Sequence, residues 1–418
     1  MALQRLRQLS SHLTGAQATG LAALEQKHPD DVVITMAIRS PLTKAKKGAL
    51  KDTMTDELLL EMFKHAIAQS HVDPSIVGDI CVGTVLTPDP VYHAREAALA
   101  AGFPDSVPIQ VVNRFCSSGL MATTVISNQI RCGQIEIGLA VGAESMTQNP
   151  DKGAPPQSEA LGVNAAAKDC LYPMGWTSEN VAQDFDISRE IMDEYSAKSY
   201  QRAEHAQNAG YFDNEIVPFT VYEKDPTTGE RKKIVVTKDD GIRYGTTKEA
   251  LSKIRSAFPQ WGKSRTTGGN ASQITDGAAA IMMMTRRKAE ELGLQILAKH
   301  ITTVATGCPP RVMGIGPVFA IPMALQNAGL SIEDVDLYEI NEAFASQYVY
   351  CIRELGLNPE KVNVNGGAIA FGHPLGCTGA RQIVTGLNEL HRRKGKVLVT
   401  SMCIGTGMGA AAVFVREI

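Results

Sequence analysis

The sequence predicts an α/β fold built from two similar halves, and three observations support this. Short apolar, strand-like runs alternate with helix-like runs, which is typical of layered α/β proteins. "DPSIVGDICVG" (73–83) resembles "LSIEDVDLYEIN" (330–341), each an apparent helix-to-strand connection. Both halves then pass through a helix to another apolar run, "EIGLAVG" in the first half and "KVLVTSMC" in the second.

The spacing within the two halves strengthens the case for duplication. Cys116 follows Ile80 by 36 positions, and His373 follows Leu337 by the same 36 positions. Cys116 begins C-x-x-G and His373 begins H-x-x-G, each before a helix-like run. A duplicated unit therefore places Cys116 and His373 at related helix starts, where they can face one another.

The elements of the first half follow in order along the chain. "DVVITMAIRSP" (31–41) is a β-branched run that predicts a strand. "TDELLLEMFKHAIAQS" (55–70) predicts a helix with Thr55 as its cap and acidic residues in its first turn. "DICVGTVL" (79–86) predicts a buried strand, and the alternation continues to "EIGLAVGAESM" (136–146).

The middle of the chain differs from both halves. Residues 147–274 are rich in turn-forming and charged residues, and a predicted helix around 188–209 interrupts them. Apolar positions persist there, so the sequence predicts an inserted loop domain rather than a linker. The N-terminal half then covers 30–146 and is completed by about 275–295, and the C-terminal half covers 296–418.

Composition narrows the class of protein. The chain has 418 residues, of which 44% are hydrophobic and 20% charged, and no apolar run approaches the roughly 18 residues of a membrane span. The net charge of −3 argues against a general nucleic-acid binder. The eight cysteines follow no disulfide-scaffold spacing, and CxxC and HExxH are absent, so no metal site is expected. A reduced, intracellular protein is expected, with cysteines of interest for their reactivity.

Cys116, in "RFCSSGL", lies where a strand ends and a helix is predicted to begin at Ser117. Free N–H groups and the dipole at a helix N-terminus favour a negative charge, which predicts a cysteine pKa below the usual value of about 8.5. His373, in "GGAIAFGHPLGCTG", precedes Pro374, which suits a first helical position. An imidazole there can take the proton of a nearby thiol. A structural cysteine and a capping or core histidine are the alternatives.

Two further candidates lie in the C-terminal half. Cys403 ends an apolar run, and the glycines of "CIGTGMG", which begin at Gly405, can expose N–H groups to an oxyanion. Asn341 opens "NEAFASQYVYCIREL", where a helix is predicted to start at about Glu342 with Asn341 as its N-cap.

Five motifs together resemble the thiolases, most of all degradative 3-ketoacyl-CoA thiolases of the peroxisomal type. These motifs are "NRFCSSG", "GNASQITDGAAA", "NEAFA", "GGAIAFGHPLGCTGAR" and "CIGTGMG". The resemblance covers roughly residues 30 to 418. It implies a five-layered αβαβα fold with the inserted loop domain and a homodimer. It also implies thiolysis of a 3-ketoacyl-CoA by CoA, giving acetyl-CoA and an acyl-CoA two carbons shorter. CoA is then a substrate, and no cofactor is expected.

The resemblance also implies a role for each catalytic candidate. Cys116 would be the nucleophile that becomes acylated, activated by His373. Cys403 would move the proton on and off the acetyl α-carbon. Asn341 would hold a water that forms one oxyanion hole with His373, and the N–H groups of Cys116 and Gly405 would form the other.

The loop domain would bind CoA. The family's pantetheine contacts match Ser272 and Met174, Arg243 matches a phosphate-region position, and Phe344 is a further expected CoA contact. Four basic residues of the same stretch suit the phosphates of CoA. They are Lys253, Arg255, Lys263 and Arg265.

The sequence departs from the family at two places. Phe115 stands before the nucleophile where Gln is usual, and "TPDPVYHARE" (87–96) replaces a loop rich in glycine and alanine. Because of these two differences, the resemblance predicts neither the preferred acyl chain length nor the details of the subunit contact.

Three other classes of protein are alternatives to a degradative thiolase. An acetoacetyl-CoA thiolase would carry the same catalytic residues, but Pro173 and Trp176 favour the degradative type. A condensing ketoacyl synthase is disfavoured by Cys403. A non-catalytic CoA- or lipid-binding relative is disfavoured because Cys116, His373 and Cys403 are all present.

Residues 1–29 predict a targeting segment. Positions 1–24 contain no Asp or Glu, and an R-L-x5-H-L pattern resembles the N-terminal peroxisomal signal read by an import receptor. The pattern comprises Arg5, Leu6, His12 and Leu13. Peroxisomal localisation is expected, and the alternatives are a frayed amphipathic helix without a targeting role and a mitochondrial presequence.

Overall fold

The computed structural model describes residues 19–417, and within this range strands and helices alternate as predicted. The strands are β1 (Val32–Arg39), β2 (Thr43–Lys44), β3 (Asp79–Gly83), β4 (Ile109–Val112), β5 (Ile137–Ser145), β6 (Phe219–Lys224), β7 (Arg231–Val236), β8 (Thr275–Thr285), β9 (Ala298–Gly307), β10 (Leu337–Ile340), β11 (Val397–Ile404) and β12 (Met408–Arg416). The helices are α1 (Leu21–Leu24), α2 (Thr55–Ser70), α3 (Pro90–Ala101), α4 (Ser118–Arg131), α5 (Ala165–Asp169), α6 (Met174–Asp184), α7 (Arg189–Asn208), α8 (Lys248–Ser252), α9 (Arg286–Glu291), α10 (Gly316–Ala328), α11 (Ala345–Leu355), α12 (Ala368–Phe371) and α13 (Leu375–Arg393). Within the described range, no helix combines the length and the apolar character of a membrane span.

The two halves have the same strand topology, which confirms the predicted duplication. In the first half, β3 pairs parallel with β5, β5 antiparallel with β8, and β8 antiparallel with β1. In the second half, β10, β11, β12 and β9 pair in the same order and with the same directions. Strand β4 pairs parallel with β3, and a parallel bridge between Tyr338 and Val362 takes the corresponding place beside β10.

The sheets of the two halves are joined at one point, which the sequence did not predict. Strands β1 and β9 pair over two residue pairs, Val33 with Lys299 and Ile34 with Ala298. The strands therefore form one continuous sheet in the order β10-β11-β12-β9-β1-β8-β5-β3-β4, with β2 beside β8. All residues of β5 and β8 are buried, which explains their runs of small and apolar residues.

Helices cover the sheet in layers, with α4 and α13 packed against each other between the two halves. This central layer needs glycine, because a Cβ on Gly119 would lie 2.7 Å from the carbonyl oxygen of Gly376. On the outer side of the first half, Leu58 and Phe63 of α2 are fully buried. On the outer side of the second half, Ile321 of α10 is fully buried in the same way.

The inserted region between β5 and β8 is packed onto both halves. Its hairpin β6–β7 reaches α2, where Arg231 donates to the carboxylate of Glu57 (2.8 Å, Nη1 to Oε1). Tyr195 of α7 stacks on Tyr348 of α11 with 3.9 Å between ring centroids. Arg39 of β1 pairs with residues of the insert in a fully buried ion cluster. These contacts hold the insert over the central layer.

Candidate active site

Cys116 lies in a tight turn between β4 and α4. Helix α4 begins at Ser118, and the Cys116 side chain is buried. Phe115, immediately before it, has a φ of 44°, in the left-handed region that non-glycine residues rarely adopt. Hydrogen bonds within the turn include one from the Phe115 N–H to Asn113 Oδ1 (2.9 Å) and one from the Ser118 N–H to the Phe115 carbonyl (2.9 Å). The backbone conformation thus fixes where the thiol points.

The predicted lowering of the Cys116 pKa is wrong. Burial raises the pKa of the Cys116 thiol to about 11, and it outweighs the N–H groups of Gly405 and of Cys116 itself, which point at the sulfur and act in the opposite direction. These are the two N–H groups that the resemblance assigned to an oxyanion hole, and in the structure both lie at the Cys116 sulfur. The thiol of the free protein is therefore neutral at pH 7 and needs a base.

His373 lies just before α13, and its ring is held on both nitrogens. Its Nδ1 lies 2.6 Å from Oγ1 of Thr378, and its Nε2 lies 3.2 Å from Nδ2 of Asn341. The backbone N–H of His373 donates to the backbone carbonyl of Gln273 (3.0 Å). Burial, followed by the positive charge of Arg381, lowers the pKa of His373 to about 3. The imidazole is therefore neutral and able to accept a proton at physiological pH.

The sequence predicts Asn341 as the N-cap of a helix, and this prediction is wrong. Helix α11 begins at Ala345, where Phe344 takes the cap position and its N–H donates to Oε1 of Gln347 (3.2 Å). Asn341 follows β10 and turns its side chain to His373 instead. Its Oδ1 is buried and has no hydrogen-bond partner among the described residues, so it can still accept a bond from a bound water.

Cys403 lies near the end of β11 and packs into a small apolar cluster. Its neighbours there include Met313, Ala343, Met174 and Phe344. Burial, followed by repulsion from the negative charge that the nearby Cys116 carries when ionised, raises the pKa of Cys403 well above its ordinary value. The β11–β12 turn then brings the N–H of Gly405 to the Cys116 sulfur. One buried site therefore holds two cysteines with different surroundings.

Three of the four predicted CoA contacts lie around this site. Ser272 donates its N–H to the carbonyl of Ala343 (3.0 Å), next to a backbone bridge between Ala271 and Phe344. The Met174 sulfur lies 3.8 Å from the position that a Cβ on Gly405 would take.

The fourth predicted contact, Arg243, lies on an exposed loop, with its guanidinium 5.8 Å from the centre of the Tyr200 ring on α7. Of the four basic residues predicted to suit CoA phosphates, Lys253, Arg255 and Lys263 are exposed. Arg265 is not available, because Nη1 donates to the carbonyls of Ala182 and Ile187. The basic patch is therefore smaller than the sequence predicted.

Three site residues were missed by sequence reasoning: Thr378, Gln273 and Glu144. The backbone carbonyl of Gln273 accepts a hydrogen bond from the backbone N–H of His373 and so helps to hold the segment before α13 in place. Glu144, fully buried, accepts from the N–H groups of Val85 and Gly376 (2.9 Å each), so it ties the loop after β3 to the start of α13. Only the motif positions of Thr378 and Gln273 could have drawn attention to them. Among the described residues, no group of three His, Cys, Asp or Glu side chains is placed to hold a metal ion.

Comparisons with known proteins give matches over almost the whole chain. The family model described as "Thiolase, N-terminal domain" matches residues 32–287, and "Thiolase, C-terminal domain" matches residues 294–416. The chain is 49% identical to the peroxisomal 3-ketoacyl-CoA thiolase of Yarrowia lipolytica, over 99% of this chain and 100% of that protein. It is also 49% identical to the peroxisomal 3-ketoacyl-CoA thiolase of Homo sapiens, over 99% of each chain.

Solved structures of thiolases also match this chain over most of its length. The dimeric peroxisomal thiolase of Saccharomyces cerevisiae matches with a TM-score of 0.87 and 46% identity, over 94% of this chain and 100% of that one. A second structure of peroxisomal 3-ketoacyl-CoA thiolase from the same yeast is described as five-layered, with two core domains of identical topology. It matches with a TM-score of 0.77 and 42% identity over 94% and 99% of the chains. Human mitochondrial 3-ketoacyl-CoA thiolase in complex with CoA matches with a TM-score of 0.82 and 36% identity over 93% and 98%.

Proposed function

The chain belongs to the thiolase family, and on that premise we propose that it cleaves 3-ketoacyl-CoA with CoA in peroxisomal fatty-acid β-oxidation. The products are acetyl-CoA and an acyl-CoA two carbons shorter. The relatives that match over almost their whole length carry this activity in their names. The observation that carries the proposal is the shared site of Cys116 and Cys403, where the N–H groups of Cys116 and Gly405 point at the Cys116 sulfur.

The first half-reaction breaks the carbon–carbon bond. His373 takes the proton of the Cys116 thiol, and the sulfur attacks the 3-keto carbon of the substrate. The bond between Cα and Cβ then breaks, which leaves an acyl group on Cys116 and releases the enolate of acetyl-CoA. Cys403 gives its proton to the enolate carbon, and preorganised N–H groups stabilise the negative oxygens that form on the way.

The second half-reaction restores the enzyme. The thiol of the incoming CoA gives its proton to the Cys403 thiolate, and the CoA sulfur attacks the acylated Cys116. The Cys116 sulfur leaves and recovers its proton from the His373 imidazolium. Cys116 and His373 recover the proton they exchanged. The proton that Cys403 gave to acetyl-CoA is replaced by the thiol proton of CoA, so all three residues end in their starting protonation states and no reactant besides the two substrates is needed. We propose that no cofactor takes part and that CoA acts only as substrate.

The binding of CoA rests on the apolar and basic residues around the site. Met174 and Phe344 line it beside Cys403. Ser272 lies next to Phe344, at the position matched to pantetheine contact. The exposed charges of Arg243 and the nearby basic side chains suit the phosphates of CoA. As in the dimeric yeast relative, we propose a homodimer.

The test is turnover of a defined substrate. Purified protein is incubated with 3-ketodecanoyl-CoA and CoA, and the products are separated by chromatography. Octanoyl-CoA and acetyl-CoA in equal amounts support the proposal, and mass spectrometry should find an acyl group on the Cys116 peptide. Turnover of acetoacetyl-CoA alone would instead identify a short-chain thiolase. An unmodified Cys116 peptide together with absent turnover would refute the mechanism.

Peroxisomal import is proposed to depend on the N-terminal pattern. Arg5, Leu6, His12 and Leu13 lie outside the described residues, so the support is their spacing together with the localisation in the relatives' names. A fluorescent fusion of the full chain should mark peroxisomes, and the Leu6→Ala, Leu13→Ala variant should remain in the cytosol. Peroxisomal import of that variant would overturn the assignment to this pattern, and mitochondrial import of the intact fusion would overturn the localisation.

A further inference from the structure

The His373 ring lies between two polar partners whose hydrogen-bonding capacity restricts its state. Nε2 is 3.2 Å from the amide nitrogen of Asn341, which can only donate. Nε2 must therefore carry a lone pair. A neutral imidazole has one ring proton, and this proton then resides on Nδ1.

Thr378 is the group that receives this proton in a hydrogen bond. Its Oγ1 lies 2.6 Å from Nδ1 of His373 and 2.9 Å from the carbonyl oxygen of Pro374. A hydroxyl has a single proton, and a carbonyl can only accept. Thr378 therefore donates to Pro374 and accepts from His373 Nδ1, so that every donor in this chain of bonds has an acceptor.

The first turn of α13 holds Thr378 in this position. The N–H groups of Cys377 and Thr378 both donate to the Pro374 carbonyl (3.0 Å each), and the Thr378 side chain is fully buried. Water therefore does not compete for the hydroxyl. The helix start thus presents one acceptor to Nδ1, at a distance fixed by the backbone.

We propose that Thr378 is a positioning residue that fixes the Nδ1–H tautomer of His373 and so keeps on Nε2 the lone pair that takes the proton of Cys116. Without the threonine oxygen, the Nδ1–H group would be buried with no acceptor, which favours the opposite tautomer. That tautomer carries a proton on Nε2 and cannot act as the base. The catalytic part of this inference rests on the proposed thiolase activity, whereas the tautomer itself does not.

The experiment compares three variants of the full chain. Thr378→Val removes the hydroxyl at almost constant shape, and Thr378→Ser keeps it. Thr123→Val is the matched control, because Thr123 is also fully buried and also donates to the carbonyl four residues earlier, that of Gly119 (3.1 Å), in helix α4. Each variant is measured for kcat and KM of thiolysis and for thermal stability.

The kinetic result expected is specific to the hydroxyl at position 378. Thr378→Val should lower kcat by about a hundredfold with KM changed by less than about twofold. Thr378→Ser should recover kcat to within about threefold, and Thr123→Val should retain it, even where both valine variants lose similar stability. Equal kcat values for the two valine variants would overturn the proposal.

The tautomer provides a readout that does not depend on activity. ¹⁵N NMR of histidine-labelled protein distinguishes a protonated Nδ1 from a protonated Nε2, and the His373→Asn variant assigns the signal. The wild type should show the proton on Nδ1, and Thr378→Val should shift it towards Nε2. A proton on Nε2 in the wild type would refute the inference even if the enzyme is an active thiolase. Conversely, an inactive wild type with the Nδ1–H tautomer would refute the proposed function alone.

Discussion

The reactivity of Cys116 without its base can be predicted from its burial. In the His373→Asn variant the thiol has no proton acceptor, so its reaction with iodoacetamide depends on the fraction that is ionised. A pKa of about 11 leaves about one thiol in 10⁴ ionised at pH 7. We therefore expect the alkylation rate of Cys116 in this variant to rise about tenfold for each pH unit between 7 and 10.

The wild type should behave differently, because neutral His373 can take the proton. A histidine pKa of about 3 keeps this base unprotonated throughout the same pH range. The ratio of wild-type to variant alkylation rates should thus be largest at pH 7 and fall as the pH rises. Mass spectrometry of the Cys116 peptide measures the rates, and the exposed thiol of Cys132 in the same sample serves as the reference for reagent concentration. A plateau of the variant's rate between pH 8 and 9 would refute the argument from burial.

Three further predictions test other parts of the structure. Cys403→Ala should lower the rate of thiolysis, measured by product analysis, by about 10²–10⁴-fold. Acetyl-CoA should still acylate Cys116 in this variant, as measured by the mass of the Cys116 peptide. Undiminished thiolysis would contradict the proposed role of Cys403 as the acid. Phe115 lies 3.7 Å from the position of a Cβ on Gly405 and is partly exposed beside the site. Phe115→Gln should therefore lower kcat/KM for long-chain substrates about tenfold relative to acetoacetyl-CoA, which corresponds to about two methylene contacts at ~0.8 kcal/mol each; an unchanged ratio would contradict this. Arg381→Met should lower the free energy of unfolding by about 3–5 kcal/mol in urea titrations, because it leaves its buried partner Glu339 (2.7 Å) without a cation; a loss below about 1 kcal/mol would argue against the pair.

The duplicated fold could be predicted from the sequence because each half repeats its local pattern at the same spacing. Cys116 and His373 were placed at helix starts by that pattern, and their helices α4 and α13 meet in the central layer. The junction of β1 with β9 could not be predicted, since only two residue pairs form it and neither strand carries a signal for it. The start of α11 was predicted too early because Asn341 is a good N-cap by type, whereas its side chain bonds to His373 across the fold.

The chemistry of the site was less accessible to sequence reasoning than its location. A helix start favours a thiolate, but of the N–H groups that act on the Cys116 sulfur in this direction, the larger contribution comes from Gly405 in the β11–β12 turn rather than from the start of α4. Burial outweighs them, and burial depends on what the rest of the chain packs around the turn. The role proposed for Thr378 could not be predicted either, because it depends on the contact of its Oγ1 with Nδ1 of His373, five residues earlier, and on the orientation of that ring.

The duplicated halves thus place two different groups at equivalent helix starts, and burial affects both in the same sense. It raises the pKa of the Cys116 thiol and lowers the pKa of the His373 imidazole, so each group is neutral at pH 7. An ion pair of thiolate and imidazolium is therefore unfavourable before substrate arrives. In the proposed mechanism the proton therefore moves as the sulfur attacks, when negative charge passes from the sulfur to the substrate oxygen and the proposed oxyanion-hole donors can stabilise it. A neutral Cys116 thiol stays unreactive until a thioester substrate binds. This protects the buried site, where Cys403 lies beside Cys116, from reaction in the absence of substrate.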